Sequence, residues 1–226
     1  MRLIILAAGQ SLSLDGVIKS LIINPVTGMS LIEHACRSFS FCDITVVVGY
    51  KAIEIMQRFP SLRYVYNHDW AVTNNAYSLG LALDDTPSYV ISGDLLFSEN
   101  LARRLELETP NMALTSTREN RILTAINCVI TNDRITETYI GPLRSVSDPE
   151  AIGIFKISDQ NLLRLWKQRC LKHGNLFVGQ TLPIDDDYNP IYSVQFPIDE
   201  KLYEINTVLD YIRLIEFTNG DYNARA

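Results

Sequence analysis

The sequence predicts an α/β protein with three layers, in which helices cover both faces of a mostly parallel central sheet. Short, uniformly apolar runs such as ITVVV at 44–48 alternate with amphipathic segments over the first half of the chain, as in sheets whose strands are buried on both faces. From about Asn111 the alternation is replaced by strand-like runs separated by the turn residues of 131–133. This second pattern predicts an antiparallel excursion from about Asn111 to Ile140.

The individual elements follow from apolar spacing and from capping residues. The run from Leu3 to Leu6 is typical of a buried strand, and Ser30 and Asp159 are suited to cap the helices that follow them. No repeat, low-complexity segment or linker interrupts the chain, so we expect a single domain over 1–226. The other predicted strands are 44–49, 62–66, 88–92 continuing into 93–97, 112–117, 122–131, 134–140, 153–157, 192–198 and 201–205, and the predicted helices are 31–39, 51–59, 74–83, 161–173 and 208–217.

Composition excludes several classes of protein. A net charge of -6 and a pI near 5.1 provide no broad basic surface, so we expect no nucleic-acid polymer as partner. No stretch approaches the ~20 apolar residues of a membrane span, and the amino-terminal apolar run is too short for a signal peptide. The cysteines at 36, 42, 128 and 170 lack CxxC spacing and predict buried free thiols in a reducing cytoplasm. The expected location is therefore cytoplasmic. The oligomeric state is left open, and a homodimer is compatible with the sequence.

Polar groups follow three of the predicted elements at the edge where a parallel sheet binds its ligands. They are the first loop with Lys19, the pair Asn74-Asn75, and Asp94 after a buried strand. A lysine ammonium and the backbone amides of 8–11 are suited to phosphate oxygens, and a carboxylate in the position of Asp94 is suited to a divalent cation. A solvated lysine and a turn-capping aspartate are the alternatives.

A second acidic feature, EINTVLD, lies at the last strand-to-helix junction. Strand alternation points Glu204 and Asn206 to the same side, and Asp210 is placed to serve the first turn of the helix.

Six segments, in this order, resemble those of the small-molecule nucleotidyltransferases, and most of all the branch of phosphocholine and 2-aminoethylphosphonate cytidylyltransferases. LAAG and GDLLF are typical of the whole superfamily, whereas TNNAYSL together with GYKA is more specific to that branch. The similarity spans nearly the whole chain and implies a Rossmann-like nucleotidyltransferase fold. The segments are LIILAAGQS with Lys19, VVVGYKAIEI, YNHDWAVTNNAYSL, ISGDLLF, AIGIFKIS and YEINTVLDY.

The resemblance implies transfer of a nucleoside monophosphate from CTP, or another NTP, to a small phosphorylated or phosphonate acceptor, with release of pyrophosphate. By carry-over, Lys19 stabilises the α-phosphate, Asp94 holds Mg²⁺, and Asn206 takes the position of a second metal ligand. The positions expected to bind the nucleotide are Leu6, Ala7, Ala8, Gly9, Gln10, Ser11 and Asn75.

An aminated acceptor would be recognised by aromatic faces and acidic groups. Trp70, Tyr77 and Tyr188 are the aromatic candidates, and the run Asp185-Asp186-Asp187, with Asp186 at its centre, supplies negative charge. Aromatic residues near strand ends also belong to cores, and charge runs are usually exposed to solvent.

Three positions depart from the pattern of the resembled family. Its first loop usually reads LAAGxGxR, but this chain has Ser11 for the glycine and Ser13 for the arginine; its last junction usually reads EID, but this chain has Asn206 for the aspartate. The serines remove backbone freedom and a cationic contact, and the amide removes a formal charge at the metal. Two functions stay open: an active transferase with altered requirements, and a weak or inactive protein of this fold with a nucleotide-binding or regulatory role. A dinucleotide-dependent oxidoreductase is disfavoured, because LAAGQSLS supplies no GxGxxG.

Overall fold

Strands and helices alternate through the first half of the computed structural model, which describes residues 1–117, 121–186 and 188–223. The helices are α1 (Leu31–Ser38), α2 (Ala52–Arg58), α3 (Asn75–Ala82), α4 (Glu99–Leu107), α5 (Gln160–Lys172) and α6 (Val208–Asn223). The strands are β1 (Arg2–Ala7), β2 (Asp43–Val48), β3 (Arg63–Tyr66), β4 (Ser88–Ser92), β5 (Leu95–Phe97), β6 (Asn111–Ser116), β7 (Asn127–Thr131), β8 (Arg134–Tyr139), β9 (Glu150–Ile157), β10 (Tyr192–Gln195) and β11 (Leu202–Glu204).

Nine of these strands form one sheet in the order β3-β2-β1-β4-β9-β6-β10-β8-β7, with a further pairing of β7 to β9. The first four strands are parallel, as predicted, and so are β6 and β10. Strand β9 runs antiparallel between β4 and β6, and β7 and β8 form an antiparallel hairpin. The predicted excursion is therefore a set of antiparallel strands added to a parallel half-sheet. A small second sheet pairs β5 with β11 and brings the carboxyl-terminal junction beside Asp94.

Helices cover both faces of the large sheet, which confirms the three-layer α/β class. On one face, Ile4 and Val47 of the sheet share a core with residues of α3 and α5, among them the fully buried Trp166. On the other, Leu3 and Ile5 share a core with residues of α1, α2 and α4. Alternate residues of β1 thus enter opposite cores, which accounts for the uninterrupted apolar run from Leu3 to Ala7.

Two predicted caps start helices in the structure. The Ser30 hydroxyl accepts a hydrogen bond from the Glu33 amide at 3.4 Å, and the Glu33 carboxylate accepts one from the Ser30 amide at 2.7 Å. Asp159 accepts a hydrogen bond from the Leu162 amide at 2.9 Å at the start of α5. Each cap satisfies amides that the first turn of a helix leaves unpaired.

Several predicted strand boundaries are wrong. Strand β9 begins at Glu150 and not at Gly153, and β10 ends at Gln195 and not at Ile198. Two further errors lie beside the site. The predicted strand 122–131 begins only at Asn127, because the preceding residues make a turn in which the Ala125 amide donates to the Ile122 carbonyl at 3.0 Å. The run 88–97 is two strands in two different sheets, separated at Gly93-Asp94. In both cases a turn interrupts the apolar run at the edge of the sheet, where the cavities described below open.

All four cysteines are free thiols; Cys128 and Cys170 are buried, whereas Cys36 and Cys42 are only half-buried. Burial raises the pKa of Cys128 and of Cys170 to about 12. These two thiols therefore stay protonated at neutral pH and behave as small apolar side chains. No helix in the described part of the chain is long and apolar enough to cross a membrane.

Candidate functional site

A cavity of about 340 Å³ opens at the carboxyl ends of β1 and β4. It brings together the three polar features predicted to meet there: the first loop with Lys19, the pair Asn74-Asn75, and Asp94. Every residue from Leu6 to Ser11 contributes to its wall. We call this space the first-loop cavity.

Lys19 is held by two side-chain oxygens at the floor of this cavity. Its ammonium donates to Asp94 Oδ2 at 3.0 Å and to Asn206 Oδ1 at 2.6 Å. The Lys19 and Asp94 side chains are only 23% and 18% exposed, so this ion pair is less screened by water than a surface pair. The structure thus joins three residues from distant parts of the chain.

The carboxylates around Lys19 provide oxygen atoms suited to a hard cation. Asp94 Oδ1 is buried and has no hydrogen-bond partner within 1–117, 121–186 and 188–223. Glu204 lies close by, and burial, followed by the neighbouring charge of Asp94, raises its pKa above the ordinary value. The negative charge of Asp94, which adds to the effect of burial on this pKa, also favours a cation.

Asp210 has the structural role open to it in the sequence. Its Oδ2 accepts hydrogen bonds from the amides of Asn206 and Thr207 at 3.1 and 2.8 Å. These contacts fix the turn between β11 and α6, and through it the position of Asn206.

The first loop is closed onto this carboxyl-terminal junction. The Ser13 hydroxyl donates to the Asn206 backbone carbonyl at 2.5 Å, and Ser11 Oγ lies 3.4 Å from Ser13 Oγ. Ser13 therefore contacts both of the other positions that depart from the resembled family. Ser11 has a φ of -87°, and the left-handed residues of the loop are Asp15 and Gly16. The backbone freedom that a glycine would give at position 11 is therefore not needed for the conformation of this loop.

Gly9 leaves open space on the wall of the first-loop cavity. A β-carbon at this position would have no atom within 4 Å, and the residue is exposed. The backbone of Gly9 is therefore accessible to a ligand, as an anion-binding loop requires.

A second cavity, of about 240 Å³, adjoins the first. We call it the Glu150 cavity, because the buried Glu150 lines it together with Glu204 and apolar residues such as Phe155. The two cavities share part of their walls, and the shared residues are Lys19, Asn75, Ser92, Asp94 and Phe177.

Sequence reasoning named the polar residues Lys19, Asn75, Asp94, Glu204 and Asn206 of the Glu150 cavity but missed the rest of its lining. Its signal was weak: Glu150 is one carboxylate before an apolar strand, and Phe177 lies in a loop after α5. The turn at 122–126, mistaken for strand, supplies four further lining residues, which are Ile122, Thr124, Ala125 and Ile126.

The predicted acceptor residues do not converge on one site. Trp70 lies on the wall of the first-loop cavity, whereas Tyr77 packs at Gly174. Asp186 lines a separate cavity near Arg134 and accepts hydrogen bonds from the amides of Tyr188 and Asn189 at 2.9 and 3.1 Å. Tyr188 is 95% exposed. The prediction that these residues bind one acceptor together is therefore wrong. Asp186 and Tyr188 lie apart from Trp70 because the segment after α5 leads to the β8 side of the sheet. Asp187 lies outside the described residues.

Comparison with solved structures identifies the fold. The CTP:phosphocholine cytidylyltransferase of Streptococcus pneumoniae is 21% identical, with a TM-score of 0.74 over 96% of this chain and 98% of that one. The inositol-1-phosphate CTP transferase of T. maritima is 17% identical, with a TM-score of 0.71 over 96% of this chain and 95% of that one. A protein of Bacillus anthracis to which glucose-1-phosphate thymidylyltransferase activity has been ascribed, in complex with sucrose, is 19% identical, with a TM-score of 0.76 over 96% and 95%.

The chain therefore has the nucleotidyltransferase fold over nearly its whole length. No protein-family model matches the sequence, and no curated protein matches it significantly. The resemblance drawn from the motifs is thus confirmed at the level of the fold.

Proposed function

We propose that the protein is a nucleotidyltransferase that moves a nucleoside monophosphate from an NTP to a small phosphorylated or phosphonate acceptor. One observation carries this proposal: two adjoining cavities share a wall that contains Lys19 and Asp94. Two substrates that must react with each other need separate binding spaces that meet at the reacting atoms. The first-loop cavity is assigned to the NTP and the Glu150 cavity to the acceptor.

Lys19 is the residue suited to the α-phosphate, because its ammonium is the cation at the shared wall. In the proposed reaction an oxygen of the acceptor phosphate attacks the α-phosphorus with its lone pair. The bond from that phosphorus to the bridging oxygen breaks, and pyrophosphate leaves with the electron pair. Charge accumulates on the α-phosphate as it becomes five-coordinate, so a fixed ammonium stabilises the transition state more than the ground state. No nucleophilic side chain is required.

We also assign a divalent cation to the same wall. Carboxylate and amide oxygens are ligands that Mg²⁺ accepts, and the unpartnered Asp94 Oδ1 is one such oxygen. Asp94 and Asn206 are the residues assigned to hold it, with Glu204 adding negative charge. When bound, Mg²⁺ neutralises charge on the phosphates.

An aminated acceptor agrees best with the Glu150 cavity. Glu150 and Glu204 bring negative charge to its lining, and Phe155 and Phe177 add aromatic rings, which suits an ammonium group beside a phosphate. The structural relatives are named for phosphocholine, inositol 1-phosphate and glucose 1-phosphate as acceptors, and two of the three are named for CTP. We therefore favour CTP as donor and phosphocholine, phosphoethanolamine or 2-aminoethylphosphonate as acceptor.

A nucleotide-binding protein without transferase activity is the second candidate. The observation in its favour is that Ser13 and Asn206 replace groups that add charge to the site in the resembled family, and that they are bonded to each other. Such a protein would bind CTP without turnover.

A matrix of assays separates the two. Pyrophosphate release is measured with each of four NTPs against the three aminated acceptors and two sugar phosphates, and CTP binding is measured by calorimetry with and without Mg²⁺. Release that requires an acceptor supports the transferase. Binding of CTP with a blank matrix supports the second candidate, and a blank matrix without binding rejects both.

A further inference from the structure

Trp70 is the one tryptophan that the first-loop cavity contains among the described residues, and we infer that it stacks on the base of the bound NTP. The inference rests on the assignment of this cavity to the nucleotide. It replaces the expectation that Trp70 contacts the acceptor. The described lining of the Glu150 cavity does not include Trp70. Trp70 lines the first-loop cavity, whose wall also includes every residue from Leu6 to Ser11.

The Trp70 side chain packs against Tyr50 and Gly49. Its ring centroid lies 5.2 Å from that of Tyr50, with the planes inclined by 60°. Gly49 makes room for it, because a β-carbon at Gly49 would lie 2.6 Å from Trp70 Cβ. Two of the six segments that carry the resemblance, VVVGYKAIEI and YNHDWAVTNNAYSL, are therefore in contact through this side chain.

The loop that carries Trp70 is also fixed. Asn67, which is 1% exposed, donates to Thr73 Oγ1 at 3.2 Å and to Ser78 Oγ at 3.0 Å, and accepts from the Asp69 amide at 2.8 Å. The Thr73 hydroxyl in turn donates to the Asp69 carbonyl at 2.7 Å. A ring presented by such a loop loses little conformational entropy when a ligand binds.

Stacking suits the chemistry of a base better than that of a phosphate. An aromatic face gains affinity from any nucleobase, whereas inorganic phosphates have no ring with which to stack. Trp70 therefore supplies affinity for the nucleoside part of the substrate, and the choice among bases is left to polar groups such as Thr73 and Asn74 on the same wall.

The test compares a ligand with a base and a ligand without one. Binding of CTP and of inorganic tripolyphosphate is measured by calorimetry for the full chain, for Trp70→Phe and for Trp70→Ala. We expect Trp70→Ala to weaken CTP binding about tenfold to a hundredfold, with Trp70→Phe in between, and to leave the affinity for tripolyphosphate unchanged. Val72→Ala, at a 78% exposed position of the same loop, is the matched control and should alter neither.

A second measurement, fluorine NMR, is made on the wild-type chain and therefore does not depend on the folding of a variant. The chain labelled with 5-fluorotryptophan has two resonances, one from Trp70 and one from Trp166, which is fully buried and donates from Nε1 to Thr181 Oγ1 at 3.1 Å. CTP should shift the Trp70 resonance and leave that of Trp166 in place, whereas an acceptor alone should shift neither.

Equal loss of CTP and tripolyphosphate affinity in Trp70→Ala, or a Trp70 shift caused by the acceptor alone, would overturn the inference while pyrophosphate release still supported the function. Absence of NTP binding to the wild type would overturn both.

Discussion

Lys19 donates hydrogen bonds to Asp94 and Asn206. Because we assign Lys19 to the α-phosphate and Asp94 to the metal, their substitutions should lower the rate for different reasons. We expect Lys19→Ala to lower kcat about 10²- to 10³-fold, because it removes charge stabilisation that is greatest in the transition state. Asp94→Ala should lower it through loss of metal affinity. Raising the Mg²⁺ concentration should then restore the Asp94 variant more than the Lys19 variant.

Initial rates over a Mg²⁺ series measure this difference. Lys51→Ala is the control, since Lys51 is an exposed lysine whose ammonium lies 3.7 Å from Glu54. Equal rescue of the Lys19 and Asp94 variants would contradict the roles assigned to them.

Ser13 and Asn206 form a second coupled unit at the residue scale. We predict that Ser13→Arg tightens NTP binding through guanidinium-phosphate contacts, and that Asn206→Asp tightens Mg²⁺ binding by adding a charge. Because Ser13 donates to the Asn206 carbonyl, the first change also removes a contact that fixes the second residue. The two effects should therefore be non-additive by about 0.5–3 kcal/mol.

Calorimetry of the two single variants, the double variant and Ser13→Ala gives this coupling energy. Pyrophosphate release that appears only in the double variant would mark the natural protein as a decayed transferase. Loss of existing activity would instead show a site rebuilt around the serines and Asn206. Unchanged CTP affinity and activity in every variant would show that these positions do not face the nucleotide.

Close approach between elements explains the glycine that follows β2. A β-carbon at Gly49 would lie 2.6 Å from Trp70 Cβ and 2.7 Å from the Ala8 carbonyl oxygen, so Gly49→Ala must displace a side chain and a strand end. We expect it to lower the free energy of unfolding by about 1–3 kcal/mol in urea denaturation. Gly9→Ala is the matched control, because its β-carbon would meet open space. A loss in Gly9→Ala as large as that in Gly49→Ala would exclude steric overlap as the cause.

The buried Lys156 of β9 caps the carboxyl end of α4. Lys156 is 4% exposed and its ammonium donates to the carbonyls of Leu105, Glu106 and Glu108 at 3.0, 3.1 and 2.8 Å. Lys156→Met leaves these carbonyls without that partner and should lower the free energy of unfolding by about 3 kcal/mol or more. The exposed Lys172→Met, at the end of α5, should change it little.

The difference in the free energy of unfolding between wild type and Lys156→Met should increase with pH. Burial lowers the pKa of Lys156 below its ordinary value of 10.5, so the folded state binds fewer protons than the unfolded state in the window below pH 10.5. The lysine's contribution to the free energy of unfolding therefore rises as the pH rises through that window. Denaturation curves of wild type and Lys156→Met should diverge with increasing pH, and a constant difference would reject the shift.

At the scale of the whole molecule, local patterns predicted most of the elements but missed α4 (Glu99–Leu107), whereas long-range pairing determined the site. Ser30 and Asp159 cap helices because capping depends on residues three positions apart. The strand β11 brings Asn206 to Lys19 across 187 positions. The resemblance to a family assigned both residues to one site, but nothing in the sequence predicted their hydrogen bond. Tyr77, Asp186 and Tyr188 were misassigned to one pocket because aromatic and acidic composition does not encode which strand end a loop reaches.

The central claim is transfer between two cavities that meet at Lys19 and Asp94. It is tested most directly by mass spectrometry with an acceptor whose phosphate or phosphonate oxygens carry ¹⁸O, using the NTP and acceptor that release most pyrophosphate. Because the acceptor oxygen is the nucleophile and the α,β-bridge is the bond that breaks, the nucleotide product should keep all of the label and the pyrophosphate should contain none. The same label in Lys19→Ala should reach product about 10²- to 10³-fold more slowly. Unlabelled nucleoside monophosphate as the sole nucleotide product, or no product with any NTP and acceptor, would contradict the account.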